Sequence, residues 1–196
     1  MRVALEELDF GHERALAKVC RECELWKIPF TFVPDPDEVR SYIDQAVQSR
    51  SRRLAYAYVI RVKNPDRVVG TTRFQEIDLR HRRLQIGSTW ICPSWQGTFV
   101  NSESKYLMLR FAFEALQLLR VEFITDVLNE RSRRALVNLG AREEGILRKH
   151  MVMKDGRVRD SAVFSITDAE WPECKAHLWK RIKRRHDFVW REATPA

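Results

Sequence analysis

A chain of 196 residues with 44% hydrophobic and 32% charged residues has the size and composition of one globular domain, which excludes a disordered or fibrous chain. No apolar run reaches the roughly 20 residues that a membrane helix needs, and MRVALEELDFGHER lacks the apolar core of a secretory leader, so no membrane partner and a cytoplasmic location are expected. The net charge of +8 favours anionic partners such as nucleotide phosphates, nucleic acid or acidic substrates, and equally suits a soluble protein with a basic surface.

In chain order, residues 2–5 read as a short first strand and 11–26 as a helix. IPFTFVPDPDE is a proline-punctuated loop, with Asp35 and Pro36 suited to a helix start. The helix over 36–49 places Val39, Tyr42, Ile43, Ala46 and Val47 on one side. The period then becomes strand-like. LAYAYVIRVK, VVGTTRFQEID and LQIGSTWIC, joined through NPDR and LRHRR, read as an antiparallel meander. Residues 101–119 are helical again, with Tyr106, Leu109, Phe113 and Leu116 at helical spacing. RVEFITDVL is a strand, 130–139 a short helix, and AREEGILRKHMVM with RDSAVFSI a hairpin around Asp155-Gly156. A last helix from Asp168 puts Trp171, Cys174, Leu178 and Ile182 on one face and ends in the basic KRIKRRHD. The order is β-α-α-β-β-β-α-β-α-β-β-α, without repeats or an internal boundary. Residues 1–185 are expected to form one domain and 186–196 a C-terminal tail.

Cys20 and Cys23 form a CxxC. Leu16, Val19, Cys20, Cys23 and Trp26 share one helical face, so the thiols are expected to pack as small hydrophobes. No second CxxC or paired histidine completes a zinc site, so no metal is expected, and a reduced chain follows.

The stretch TWICPSWQGTFVNSESKYLMLRFAFEAL is a strand, a loop and a helix. Such a junction leaves N–H groups unpaired at a helix terminus of partial positive charge, which suits phosphate. Asn101 or Ser102 is placed to cap the helix, and an ordinary capped helix would look the same. The next strand, RVEFITDVLN, returns parallel to LQIGSTWIC through a right-handed crossover. If the two part at their C-terminal ends, Asn129 stands at the lip of a slot with both an amide donor and an acceptor. Ser132, one turn into the following helix, then offers a proton to a leaving group. The plainer alternative is that Asn129 caps the helix and Ser132 is a first-turn polar residue.

IGSTWICPSWQGTFVNSE, RVEFITDVLNERSRRALVNLGAREEGILR, DGRVRDSAVFSI and Glu170-Trp171 together resemble the GNAT superfamily of acyl-CoA-dependent N-acyltransferases. The likeness is greatest to the branch of ribosomal-protein alanine N-acetyltransferases, and it covers residues 3–182. It implies an α/β (α+β) fold: a mixed, mostly antiparallel sheet of about six to seven strands flanked by helices, with a splayed parallel pair forming the acyl-CoA slot. It implies a bacterial enzyme moving an acetyl group from acetyl-CoA to a primary amine: a protein N-terminus, an amino acid or a small amine. A homodimer is common among similar proteins. By position, Gln96, Gly97, Thr98, Phe99, Val100 and Asn101 hold the pyrophosphate. Asn129 contacts the pantetheine arm or helps order the slot, Ser132 lies near the thioester sulfur, and the LGA at 139–141 ends the helix with a glycine in a left-handed position and starts the next strand. A bulge in STWIC lets the backbone of Trp90, Ile91 and Cys92 pair with the pantetheine like an added strand. The family's phosphate loop is Gln or Arg, two residues, Gly, one residue, then Gly or Ala. Gln96 fits it, but Phe99 and Asn101 replace the small residues.

The attacking amine must be neutral, and an α-amino group of pKa about 7.7–8 is partly protonated at neutral pH, so a base or a water relay is needed. Related sequences often carry Glu where Gln85 stands, and Gln cannot take the proton. The candidates are Glu76, Asp78, Asp126 and His150, with Asp126 and Glu76 joining Ser132 as the expected catalytic set. A backbone N–H near Trp90 or Ile91 would polarise the thioester carbonyl. Direct transfer needs no covalent intermediate, so Cys92 is not invoked as a nucleophile. Arg73, Trp90, Phe30 and Phe32 are candidates for the acceptor pocket, or belong to the core. Two other readings stay open. Gln85 and the altered loop suit a non-catalytic acyl-CoA-binding module. The basic tail suits an aminoacyl-tRNA donor on the same fold, although no RNA-recognition motif is present and nucleic acid is not an expected partner.

Overall fold

The computed structural model describes residues 1–28 and 32–184. One seven-stranded sheet has the order β1-β2-β3-β4-β5-β7-β6. Its strands are β1 (Val3–Glu7), β2 (Ala55–Lys63), β3 (Asp66–Asp78), β4 (Arg83–Ile91), β5 (Arg120–Asp126), β6 (Arg142–Val152) and β7 (Val158–Thr167). Every neighbouring pair is antiparallel except β4 and β5. The exception follows from the connection, because helix α3 (Phe99–Arg110) carries the chain from the end of β4 back to the start of β5. This is the mixed, mostly antiparallel sheet that the sequence predicts.

Two successive threonines of β3 show what covers each face. Thr71 bonds Tyr42 of α2 (Val39–Ser51), whereas Thr72 bonds Lys105 of α3. On the first face, Leu16, Val19 and Cys20 of α1 (Glu13–Cys23) and Ile43 of α2 pack with Val59 and Val69. On the second, Met108 and Leu109 of α3 and Leu178 and Ile182 of α5 (Trp171–Arg184) pack with Ile86, Val121 and Phe164. A short helix, α4 (Glu130–Val137), follows β5. Glu103 of α3 is fully buried and accepts from the backbone N–H groups of Arg2 and Val3 and from the Arg2 guanidinium, which ties β1 to α3.

Several boundaries differ from the sequence reading. The helix expected over 11–26 is interrupted. Asp9 caps a 3-10 turn at Phe10–His12, α1 ends at Cys23, and Glu24 adopts a left-handed φ of 47° before a second turn at Leu25–Lys27. Helix α3 starts at Phe99 because Thr98, not Asn101 or Ser102, accepts the Val100 amide. It leads into a π-helical turn at Phe111–Ala115. Gly140 ends the α4 segment at a φ of 98°, as the LGA motif predicts, and a Cβ there would stand 2.7 Å from the Cys174 sulfur. Residues 186–196 and Phe30 lie outside the described residues.

The cysteines correct the expectation of a reduced chain. Cys23 and Cys92 form a disulfide across a sequence separation of 69 residues. The end of α1 and the residue after β4 are brought to a Cα separation of 5.3 Å, within bridging reach. Cys20 and Cys174 are free and buried, as expected of packed thiols.

Candidate active site

Strands β4 and β5 pair only over Arg83–Gln85 and Arg120–Glu122, then separate. The cause lies in β4. Ser88 has a left-handed φ of 46°, and the register with β3 slips between Thr71 and Arg73, so β4 bends away. Strand β5 meanwhile stays paired with β7 as far as Asp126. The gap opens into a cavity of about 1700 Å³.

Backbone alternation decides which groups face the gap. The Cys92 N–H donates to Val69 of β3, and the Trp90 carbonyl points at Gly70 of β3, so Ile91 between them turns its N–H and C=O towards the gap. Of the two amides expected to polarise a carbonyl, Ile91 is therefore the one available, and Trp90 is not. The side-chain amide of Gln96 donates to the Ile91 carbonyl at 2.6 Å. The Trp90 indole is buried beside the cavity, and among the described residues its Nε1 lacks a hydrogen-bond partner.

Gln96, Gly97, Thr98, Asn101 and Ser102 line the same cavity. Gly97 has a φ of 72°, a value that suits glycine, and it turns the chain into α3. Phe99 and Val100, expected in a phosphate loop, occupy the first turn of α3 with their side chains in the core. Phe99 can offer a ligand only its backbone N–H, and the Val100 N–H is already taken by Thr98 Oγ1. Cys92 is committed to its disulfide, so its side chain has no free thiol.

At the far lip, Asn129 Oδ1 accepts the Ser132 amide at 3.0 Å and caps α4. The plainer of the two sequence readings thus describes the Asn129 side chain. Asn129 and Ser132 both line the cavity. Asp126 does too, but its carboxylate is fully buried. It accepts the Leu128 amide at 3.0 Å and the Arg157 guanidinium at 2.5 Å, with Arg159 at 3.9 Å. Held in this way it positions arginines. Asp78 pairs with Arg83 and the His81 amide, and His150 Nδ1 with Ser161. Glu76 differs: it is exposed, has a left-handed φ of 49°, borders the cavity, and makes no hydrogen bond or ion pair among the described residues. Gln85 is bonded to Gln75. Phe32 and Arg73 also line the cavity.

Sequence reasoning missed Lys105. It is buried at the cavity wall, and Nζ bonds the hydroxyls of Thr89 at 2.7 Å and Thr72 at 3.3 Å. Burial without a counter-charge pushes its pKa down to about 7. The available signal was a lysine four residues before Leu109 on the apolar stripe of α3. Arg159, 5% exposed and also at the wall, gave no comparable signal.

The amino-acid sequence matches the acetyltransferase (GNAT) domain family over residues 2–142. The chain belongs to the GNAT acetyltransferases. It is 28% identical over 175 residues to p20 of Bacillus licheniformis, an uncharacterized N-acetyltransferase, with 87% of this chain and 95% of p20 covered. The chain spans about half the length of other curated relatives, 55% of each of two Bacillus subtilis proteins. A GCN5-related N-acetyltransferase from Brucella melitensis superposes with a TM-score of 0.82 at 29% identity, covering 92% of this chain and 82% of that one. RimJ of Mycobacterium smegmatis, solved with CoA-disulfide, shares the fold with a TM-score of 0.78 at 23% identity, over 93% of this chain and 90% of RimJ. The family resemblance read from the motifs is borne out. Among the described residues no helix is long and apolar enough to cross a membrane.

Proposed function

We propose that this chain transfers an acetyl group from acetyl-CoA to a primary amine by direct attack. The observation that carries this reading is the parting of β4 and β5 beside the N-terminus of α3. One junction supplies a slot for an extended thioester arm and the partly positive end of a helix for its phosphates. The turn from Gln96 to Thr98, the backbone of Phe99, and Asn101 would hold the pyrophosphate. The Ile91 amide would polarise the thioester carbonyl, and Gln96 keeps the Ile91 peptide aimed. Asn129 orders the lip that carries Ser132.

In the reaction the amine lone pair forms the C–N bond and the C–S electrons leave with sulfur. Ser132 supplies the proton to sulfur and regains one from water, while Glu76, the uncommitted carboxylate, takes the proton from nitrogen directly or through water and returns it to solvent. The acceptor class spans protein N-termini, amino acids and small amines.

Calorimetric titration with acetyl-CoA, beside Asn129→Ala, tests binding, and thiol release on adding each amine class tests transfer. Micromolar binding weakened in the variant, with amine-dependent thiol release, is expected. Binding without release from any amine would favour a non-catalytic acyl-CoA-binding module, and no binding by a folded chain would overturn the reading.

A further inference from the structure

We propose that the acceptor amine carries an oxyanion, a carboxylate or a phosphate, and that Arg73 and Arg159 hold it. The inference rests on the transferase reading in one respect: the face of the sheet under α1 and α2 takes the acceptor.

Arg73 projects from β3 towards α2, its guanidinium carbon 5.3 Å from the centre of the Tyr42 ring. Among the described residues its Nε is buried without a hydrogen-bond partner, and no carboxylate lies within ion-pair distance. Tyr42 is itself fixed by a 2.9 Å bond to Thr71. Arg159 reaches the same cavity from β7. Its Nε donates to Ser161 Oγ at 2.8 Å, and its guanidinium carbon lies 5.8 Å from the centre of the Phe32 ring.

The charges on this face do not balance. Asp126 is its one buried carboxylate among the described residues, and the shorter of its two arginine contacts goes to Arg157, at 2.5 Å against 3.9 Å for Arg159. Glu38 is exposed and pairs with Lys154, Glu122 at the cavity is taken by Arg120 and Arg83, and Glu76 is exposed. The centre of the face, Gln75 with Gln85, is neutral. Burial lowers the Arg159 pKa, consistent with a cation that lacks full compensation. A buried cation without a partner is costly, and one placed at a cavity wall gains its partner when an anion enters. A guanidinium fork suits the planar carboxylate and the phosphate alike. The Tyr42 and Phe32 rings behind the two guanidiniums keep the forks in place.

The test uses ligands without a reactive amine, so it reads binding whether or not acetyl transfer occurs. N-Acetylglycine, N-acetylglycinamide and inorganic phosphate are titrated calorimetrically into the full chain, alone and with CoA. At least one oxyanion is expected to bind about tenfold or more tightly than the neutral amide. Arg73→Met and Arg159→Met should each abolish that preference while acetyl-CoA affinity stays within twofold, roughly the precision of the comparison. Arg73→Met should also hold or raise the melting temperature, which separates lost recognition from lost folding. Preference for N-acetylglycine assigns a carboxylate acceptor, and preference for phosphate a phosphorylated one. If the amide binds as well as both oxyanions, or neither oxyanion binds, the inference falls. The acetyl-CoA titration decides the transferase reading separately.

Discussion

Lys105 Nζ lies 2.7 Å from Thr89 Oγ1 inside the protein, and among the described residues no carboxylate pairs with it. Its folded pKa of about 7 stands below the ordinary 10.5. Between those values the unfolded chain binds a proton that the folded chain does not, so this group makes stability rise with pH across that window and costs most below pH 7. Lys105→Met keeps the length and removes the charge, and Thr72 and Thr89 still bond each other at 2.7 Å. The variant should melt on the order of 5 °C higher at pH 6, with the gain shrinking as the pH rises towards 10. A lower melting temperature at pH 6, or a difference independent of pH, would show that the ammonium is held by the site.

Gly140 and Cys174 meet where α4 turns back into the sheet. An alanine at 140 combines a left-handed φ of 98° with a Cβ 2.7 Å from the thiol. Gly140→Ala should cost about 3 kcal/mol in denaturant unfolding. Adding Cys174→Ala relieves the clash but not the backbone conformation, so the double variant should recover part of the loss. Strict additivity of the two substitutions would sink the steric account.

Ser132 and Asn129 are neighbours in the α4 cap with different expected signatures. Ser132→Ala should lower kcat about a hundredfold, with little change in the KM for acetyl-CoA, because the hydroxyl acts on the departing sulfur. Asn129→Ala should lower stability by about 1 kcal/mol through the lost cap, and raise KM as the lip loosens. Steady-state kinetics at saturating amine separate the two. Equal effects of both variants on kcat and KM would assign Ser132 a purely structural place in the cap.

The fold was legible because the period of apolar residues changes cleanly between strand and helix, and because Asp155-Gly156 and the LGA segment announce their turns. The parting of β4 and β5 was legible only through family motifs. Its local cause, the left-handed Ser88, belongs to a residue type that gives no such signal. The start of α3 was misplaced because Asn101 and Ser102 are good caps in isolation, whereas burial of Phe99 and Val100 sets the helix two residues earlier. Asp126 looked like a functional carboxylate because strand alternation gives its side but not its partners. Arg157 and Arg159 come from the far side of the hairpin turn, and only the folded sheet brings them to it.

The Cys23–Cys92 bond shows the same limit for long-range pairing and yields the last prediction. Cys23 reads as one more apolar position on α1, yet it ties the end of that helix to the residue that follows Ile91, whose amide faces the slot. Closing a loop of this size contributes about 4 kcal/mol in the chain-entropy account. Reduction, or a Cys23→Ala/Cys92→Ala double variant, should therefore lower the melting temperature by roughly 10 °C. Acetyl-CoA affinity should fall as well, since the end of β4 loses its tether. Thiol titration checks the premise, and it must be done in denaturant because burial pushes the Cys20 thiol up to about 12 and masks it in the native chain. Two of the four cysteines should react before reduction and four after. Four reactive thiols in the unreduced, unfolded chain would remove the tether and with it the expected loss of stability.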